Sequence, residues 1–202
     1  MDLSNITYQG PEYETDQEVE SLIPDNLLSL LQKLNGFIQF GGGLHVRGIC
    51  KEPEWHSLRS ALVGETAIHK LFPAVEPSDI PFAQDCVADQ YILRDRVVYK
   101  LYSETGEIEC LELGLASFLS AATTDPVEFL GLEPLLQLQN EGVSLEPGEV
   151  IGVYPPFCTE EARKGVSLKP VAVGEALMFL SDFSKQFGSV EDGENIGMRV
   201  TE

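Results

Sequence analysis

The chain has 202 residues, 43% of them hydrophobic, which is enough for one globular core but not for two full domains. It carries 33 Asp and Glu against 13 Lys and Arg, so its formal net charge at pH 7 is −20. Because phosphate backbones repel such a chain, the composition disfavours direct binding of DNA or RNA. The negative field suits a basic protein partner, although strong charge is also an ordinary route to solubility.

The compartment signals favour a cytoplasmic protein. The first nine residues contain neither the basic start nor the apolar run of a signal peptide, so we expect no leader to be removed. The longest uncharged apolar stretch, Leu113 to Thr124, is shorter than the about 20 residues that span a bilayer, so we expect no membrane span. The four cysteines form no CxxC pair, and we expect reduced, mostly buried thiols.

The N-terminal third begins with an acidic segment. Residues 1–21 contain six acidic residues, no basic residue and no apolar period, which predicts a flexible or loosely docked acidic leader. A helix is predicted to start at Pro24 and to end at Asn35 and Gly36, with leucines at helical spacing between them. The glycines at 41–43 predict the turn of a short β-hairpin.

The centre of the chain carries the strongest strand pattern. We expect a short helix over 55–62, and then an antiparallel meander over 82–111. Its strands are rich in β-branched and aromatic residues, and they are separated by turns at 95–96 and 104–106.

Helices dominate the predicted C-terminal part. We expect a helix over 115–122, a short helix from Asp125 through Leu130 with 133–139 as a candidate continuation, strand character at 150–153 and 166–173, and a last helix over 175–187. The element order predicts an α+β fold in which helices cover one face of an antiparallel sheet. We place the single domain at 22–188 and an acidic tail at 189–202.

Asp85 and Asp89 lie four residues apart in the predicted meander. Two carboxylates at this spacing could act as a general acid and base. In a strand and turn context they more often accept hydrogen bonds from backbone N–H groups, and we favour that structural role.

Aromatic and histidine residues leave two further alternatives. Trp55 with Phe82 and Tyr91 could form a recognition patch, but a structural packing role is the default. The histidines lack the spacing of metal-binding motifs, so we expect His45 to end a strand and His56 to lie on the surface. No motif for a metal, a nucleotide or another cofactor is present, and no nucleophile motif indicates an enzyme.

A block of negative charge is the clearest physical signal. Residues 101–162 contain twelve acidic residues and no Lys or Arg. Such self-repulsion costs stability, and an attractive partner would explain its retention. The alternative is a solvated face that happens to be rich in glutamate. As candidate partner-binding residues we take Glu104, Glu107, Glu109, Glu112, Glu128 and Glu133.

Six sequence blocks together resemble the SUKH superfamily, in the branch that includes the fungal cell-wall assembly regulator. They are IPDNLLSLLQKLNG, PFAQDCVADQYILRDRVVYKL, SETGEIE, DPVEFLGLEPL, EPGEVIGVYPPFC and EALMFLSDFSKQF, in this order. The resemblance covers about Leu22 to Phe187. Two positions depart from it, because Ala88 stands where glycine is expected and Asp95-Arg96 replaces a common Asp-Gly turn.

The resemblance implies a fold and a role. The fold is a central, largely antiparallel sheet flanked by helices, and the role is non-enzymatic protein binding. Many bacterial members are thought to be immunity proteins that neutralise toxins, often nucleases. The other implied role is that of an intracellular regulator or scaffold with several partners.

Overall fold

Seven consecutive strands form an antiparallel sheet in the computed structural model, which describes residues 4–187. Each strand pairs with the next one along the chain, so the first and the last strand are the edges of the sheet. The strands are β1 (Ile6–Gln9), β2 (Phe37–Gln39), β3 (Leu44–Val46), β4 (Ile80–Asp85), β5 (Gln90–Arg94), β6 (Val97–Tyr102) and β7 (Glu107–Leu113). A separate antiparallel hairpin follows, formed by β8 (Glu149–Tyr154) and β9 (Ser167–Ala172).

Helices precede, interrupt and follow the strands. They are α1 (Gln17–Leu22), α2 (Asp25–Leu31), α3 (Leu58–Val63), α4 (Ile68–Leu71), α5 (Leu115–Thr124), α6 (Pro126–Leu130), α7 (Glu133–Asn140) and α8 (Val173–Phe187). The predicted short helix from Asp125 through Leu130 is confirmed, and its candidate continuation over 133–139 is a separate helix, because Gly131 adopts a left-handed φ of +70° and ends α6 before α7 begins. No helix within 4–187 is both long and apolar enough to cross a membrane.

The architecture is α+β, and the helices cover both faces of the sheet rather than the one face expected from the element order. Tyr91 on β5 packs against Phe118 of α5 in the main core. Its neighbour Ile92 points to the opposite face, where it packs in a cluster that includes Leu71 of α4. The second face was not recognisable from the sequence because it also buries polar side chains, among them Gln90.

The flexible leader predicted over 1–21 is wrong for residues 6–9 and 17–21. Strand β1 pairs with β2 and extends the sheet, and α1 buries Val19 completely. Asp16 caps α1 by accepting a hydrogen bond from the backbone of Val19, and it also binds Arg59 of α3. These acidic residues therefore hold local structure. The predicted tail at 189–202 lies outside the described residues.

Candidate functional site

A cleft of about 710 Å³ lies where the β8–β9 hairpin, the β6–β7 turn and α8 meet. Three large side chains line it and stay exposed to solvent, with exposed fractions of 66% for Tyr154, 45% for Phe157 and 48% for Phe179. Since solvent-exposed aromatic groups are concentrated here, the cleft offers apolar surface to a ligand. We call this site the acidic cleft, for the charges described next.

Four carboxylates line the acidic cleft. Glu104 comes from the β6–β7 turn, Glu107 from the start of β7, Glu175 from α8, and Asp89 from the turn between β4 and β5. Lys169 of β9 is the one basic residue among the lining side chains that the structure describes. The site therefore combines apolar walls with an excess of negative charge.

Side chains alternate between the two faces of the β8–β9 hairpin, and one face lines the acidic cleft. Gly152 pairs with Lys169, and Tyr154 pairs with Ser167, so these residues share one face of the hairpin and line the cleft. Leu168 lies on the other face and is buried in the main core. One face of the hairpin therefore packs against the core, and the other face lines the cleft.

Glu104 ties the β6–β7 turn to the loop after β8. Its two carboxylate oxygens accept hydrogen bonds from the backbone N–H groups of Phe157, at 2.8 Å, and Cys158, at 2.9 Å. Burial, together with the nearby Glu104 carboxylate, raises the pKa of the Cys158 thiol to about 12. Glu104 therefore positions Phe157 at the cleft, whereas Glu107 is exposed.

A buried ion triad lies beneath the acidic cleft. Lys100 Nζ is 3.0 Å from Asp85 Oδ2 and 3.2 Å from Asp89 Oδ2. Burial and the neighbouring Asp85 raise the pKa of Asp89. Burial disfavours the charged form of Lys100, but the two carboxylates outweigh this effect and raise its pKa.

The remaining oxygens of the triad bind the backbone. Asp85 Oδ1 accepts hydrogen bonds from the N–H groups of Val87 and Asp89, both at 3.0 Å. Asp89 Oδ1 accepts one from Ser103 at 2.8 Å. The bonds to Asp85 are local bonds to backbone N–H groups, of the kind that a strand and turn context predicts, whereas the bond to Asp89 comes from a residue 14 positions away. The triad therefore fixes the turn that carries Asp89 to the cleft.

The six predicted glutamates do not form one site. Glu104 and Glu107 line the acidic cleft. Glu109 and Glu112 lie on the edge strand β7, where Glu109 accepts a hydrogen bond from the hydroxyl of Tyr102. The other two candidates are exposed on α6 and α7 and do not line the cleft: Glu128 and Glu133.

Trp55, Phe82 and Tyr91 do not form a common patch. The rings of Phe82 and Tyr91 pack around Phe118, with centroid distances of 5.5 Å and 4.6 Å. Trp55 is half-buried elsewhere, and its ring lies 5.2 Å from those of both Tyr8 and His45. Trp55 thus takes part in a different aromatic cluster.

The predicted surface position of His56 is wrong, because the side chain is completely buried. Its Nδ1 lies 2.8 Å from Nε2 of His45, and its Nε2 lies 3.0 Å from the carbonyl oxygen of Asn35. Space for the ring comes from Gly10 and Gly48, where an added Cβ would lie 2.3 Å and 2.7 Å from His56 Nε2. The sequence shows neither of these close approaches.

Three side chains that line the acidic cleft were not predicted from the sequence as site residues: Tyr154, Phe179 and Glu175. One signal was available for Phe179. The core-facing stripe of α8 contains Leu177 and Leu180, and Phe179 is a large apolar residue outside that stripe.

None of the four cysteines is among the described residues that line the acidic cleft. All four thiols are free, with Cys50 and Cys86 buried, Cys158 partly buried and Cys110 exposed. Within the described residues, no three His, Cys or carboxylate side chains are grouped so that they could hold a metal ion.

Comparisons with known proteins bear on the fold. No family model matches the chain, and no curated protein matches it. Among solved structures, the chain is similar to the crystal structure of Atu4351 from Agrobacterium tumefaciens, with a TM-score of 0.52 and 12% sequence identity. The match covers 89% of this chain and 86% of that chain. This similarity shows a shared α+β fold over most of both chains.

Proposed function

We propose that the chain is a non-enzymatic, cytoplasmic immunity protein that binds and neutralises a basic toxin. The observation that carries the proposal is the acidic cleft, where carboxylates surround exposed aromatic side chains. Aromatic side chains are enriched in the centres of protein interfaces, and complementary charge gives such interfaces specificity and speed of association.

Membership of the SUKH superfamily is part of this proposal. Two of the six blocks, PFAQDCVADQYILRDRVVYKL and SETGEIE, lie within the meander of β4 to β7, in agreement with the antiparallel sheet that the resemblance implies. Backbone geometry gives independent support. Ala88 and Arg96 stand where the family pattern has glycine, and their φ values of +69° and +70° are in the left-handed region that glycine favours.

A nuclease is the toxin class that suits the charge best. Nucleases present basic surfaces to hold phosphates, and a protein with a net charge of −20 can occupy such a surface in place of the nucleic acid. Opposite net charges also accelerate encounter, and salt weakens this steering. The proposed mechanism is therefore competition for the nucleic-acid site of the toxin.

Affinity capture tests the proposal. A lysate of the source cell is passed over the immobilised chain at low salt, the column is eluted with a salt gradient, and the eluted proteins are identified by mass spectrometry. We expect one dominant basic polypeptide with a toxin or nuclease domain. A mixed set of unrelated partners would instead indicate a regulatory scaffold and would contradict the immunity function.

A further inference from the structure

We infer that the acidic cleft receives a segment of the partner in which an apolar side chain has lysine or arginine beside it. This inference rests on the proposed protein-binding function, and it names the feature of the partner that is recognised.

The apolar walls require an apolar side chain in the occupant. Tyr154, Phe157 and Phe179 come from the hairpin, the loop after it and α8, so the exposed rings surround the cleft from different elements. Gly152 also lines the cleft from the hairpin and contributes no side chain. A large apolar group of the partner can therefore enter the cleft and remove these rings from water.

The charges favour cations beside that apolar group. Glu107 and Glu175 are exposed and reach the cleft from two separate elements, the start of β7 and α8. Glu104 adds charge but uses both of its oxygens to hold the loop at 157–158. Because these carboxylates repel phosphates, the cleft favours a basic protein segment over a nucleic acid or an anionic membrane.

The walls are joined to one another. Glu104 links the β6–β7 turn to the loop after β8, and Gly106 brings the same turn against α8, where an added Cβ would lie 3.4 Å from Ser184. A site whose walls are already connected needs little ordering when a ligand binds, which favours affinity for a short segment.

Short peptides test the inference on the full chain. The probe is a capped hexapeptide, Lys-Lys-Leu-Phe-Lys-Lys, and its dissociation constant is measured by calorimetric titration at low salt. The comparison peptides replace the four lysines by glutamates, or the central Leu-Phe by Gly-Ser. We expect the probe to bind at least about ten-fold more tightly than either comparison peptide. Equal binding of the Gly-Ser peptide would overturn the inference, because charge alone would then explain the binding.

Matched variants locate the binding site. We expect Phe179→Ser and Glu107→Gln each to weaken binding of the probe about ten-fold. The controls are Leu136→Ser and Glu133→Gln on α7, which make the same kinds of change at exposed positions outside the cleft. Equal effects of the cleft variants and their controls would overturn the inference.

The proposed function is separable from this test. If the captured basic protein binds the cleft variants as well as it binds the natural chain, but loses affinity when Glu109 and Glu112 on β7 are reversed in charge, the inference fails and the function stands. If no basic protein is captured while the peptide binds in the cleft, the proposed function fails instead.

Discussion

At the scale of single residues, the buried pair of His45 and His56 makes the free energy of unfolding depend on pH. Burial lowers the pKa of both His45 and His56, and the charge of Arg47 adds to the effect. The unfolded chain takes up protons below a pKa of about 6.5, while the folded pair stays neutral to lower pH. The stabilisation is therefore fully present above this value and is lost as the pH falls through the lowered pKa values.

Asp89 has the opposite effect in the same pH range. Its raised pKa means that the folded chain binds the proton more tightly than the unfolded chain does. This contribution is fully present below an unfolded pKa of about 3.9 and is lost as the pH rises through the folded pKa. The natural chain therefore combines two opposing pH dependences.

An Asp89→Asn variant separates the two effects. Asparagine keeps an oxygen that can accept the hydrogen bond from Ser103 but does not titrate. We expect the free energy of unfolding of this variant to fall from about pH 7 to about pH 5, by up to about 1.4 kcal/mol per pH unit for each histidine. Urea unfolding at several pH values measures it. A flat or rising free energy in the variant would contradict the role of the histidine pair.

The side chain of Tyr91 ends in a buried hydroxyl group. Within the described residues, its buried hydroxyl has no hydrogen-bond partner. Because an unpaired buried hydroxyl costs about 1–3 kcal/mol, we expect Tyr91→Phe to raise the free energy of unfolding by about 1 kcal/mol. Denaturant unfolding checks this, with Tyr102→Phe as the control, since it removes a hydroxyl that binds Glu109. A loss of stability in Tyr91→Phe would contradict the expectation.

At the scale of elements, the backbone of the β5–β6 turn is expected to be strained. Asp95 and Arg96 have φ values of +49° and +70°, the backbone of a two-residue hairpin turn that favours glycine. We expect Arg96→Gly to raise the free energy of unfolding by about 1 kcal/mol. Arg96→Ala is the control, since it removes the guanidinium but keeps the Cβ. An equal gain in both variants would show that the charge, not the backbone, is responsible.

The strong elements could be predicted from the sequence, and the weak ones could not. The meander over 82–111 and α8 were predicted because their apolar periods are sustained over many residues. Strand β1 has only four residues, at the sheet edge, and α1 has six, so neither has a recognisable period. Their order depends on tertiary contacts such as the one between Asp16 and Arg59.

Part of the acidic cleft could likewise be predicted from the sequence, and part could not. Glu104 and Glu107 were predicted because a run of acidic residues without a basic residue is visible in the chain. The pairing of Glu104 with backbone N–H groups 53 and 54 residues away, and the meeting of Tyr154 with Phe179, depend on the fold. No local pattern encodes contacts at such separations.

At the scale of the whole molecule, net charge predicts a salt dependence. With 33 acidic residues against 13 basic ones, repulsion between like charges outweighs attraction. We expect the melting temperature to rise when NaCl increases from about 10 mM to about 200 mM, because salt screens the repulsion. Thermal unfolding followed by circular dichroism measures this. A melting temperature that falls with salt would show that ion pairs such as Arg94–Asp79 dominate instead.

Inhibition of the captured partner tests the central claim most directly. The partner is mixed with a nucleic-acid substrate and increasing amounts of the chain, in parallel with a Glu107→Lys, Glu109→Lys, Glu112→Lys variant. We predict that cleavage stops near one equivalent of the natural chain, and that the variant, or high salt, restores cleavage. Cleavage of the nucleic acid that continues in an excess of the natural chain would contradict the proposed neutralisation.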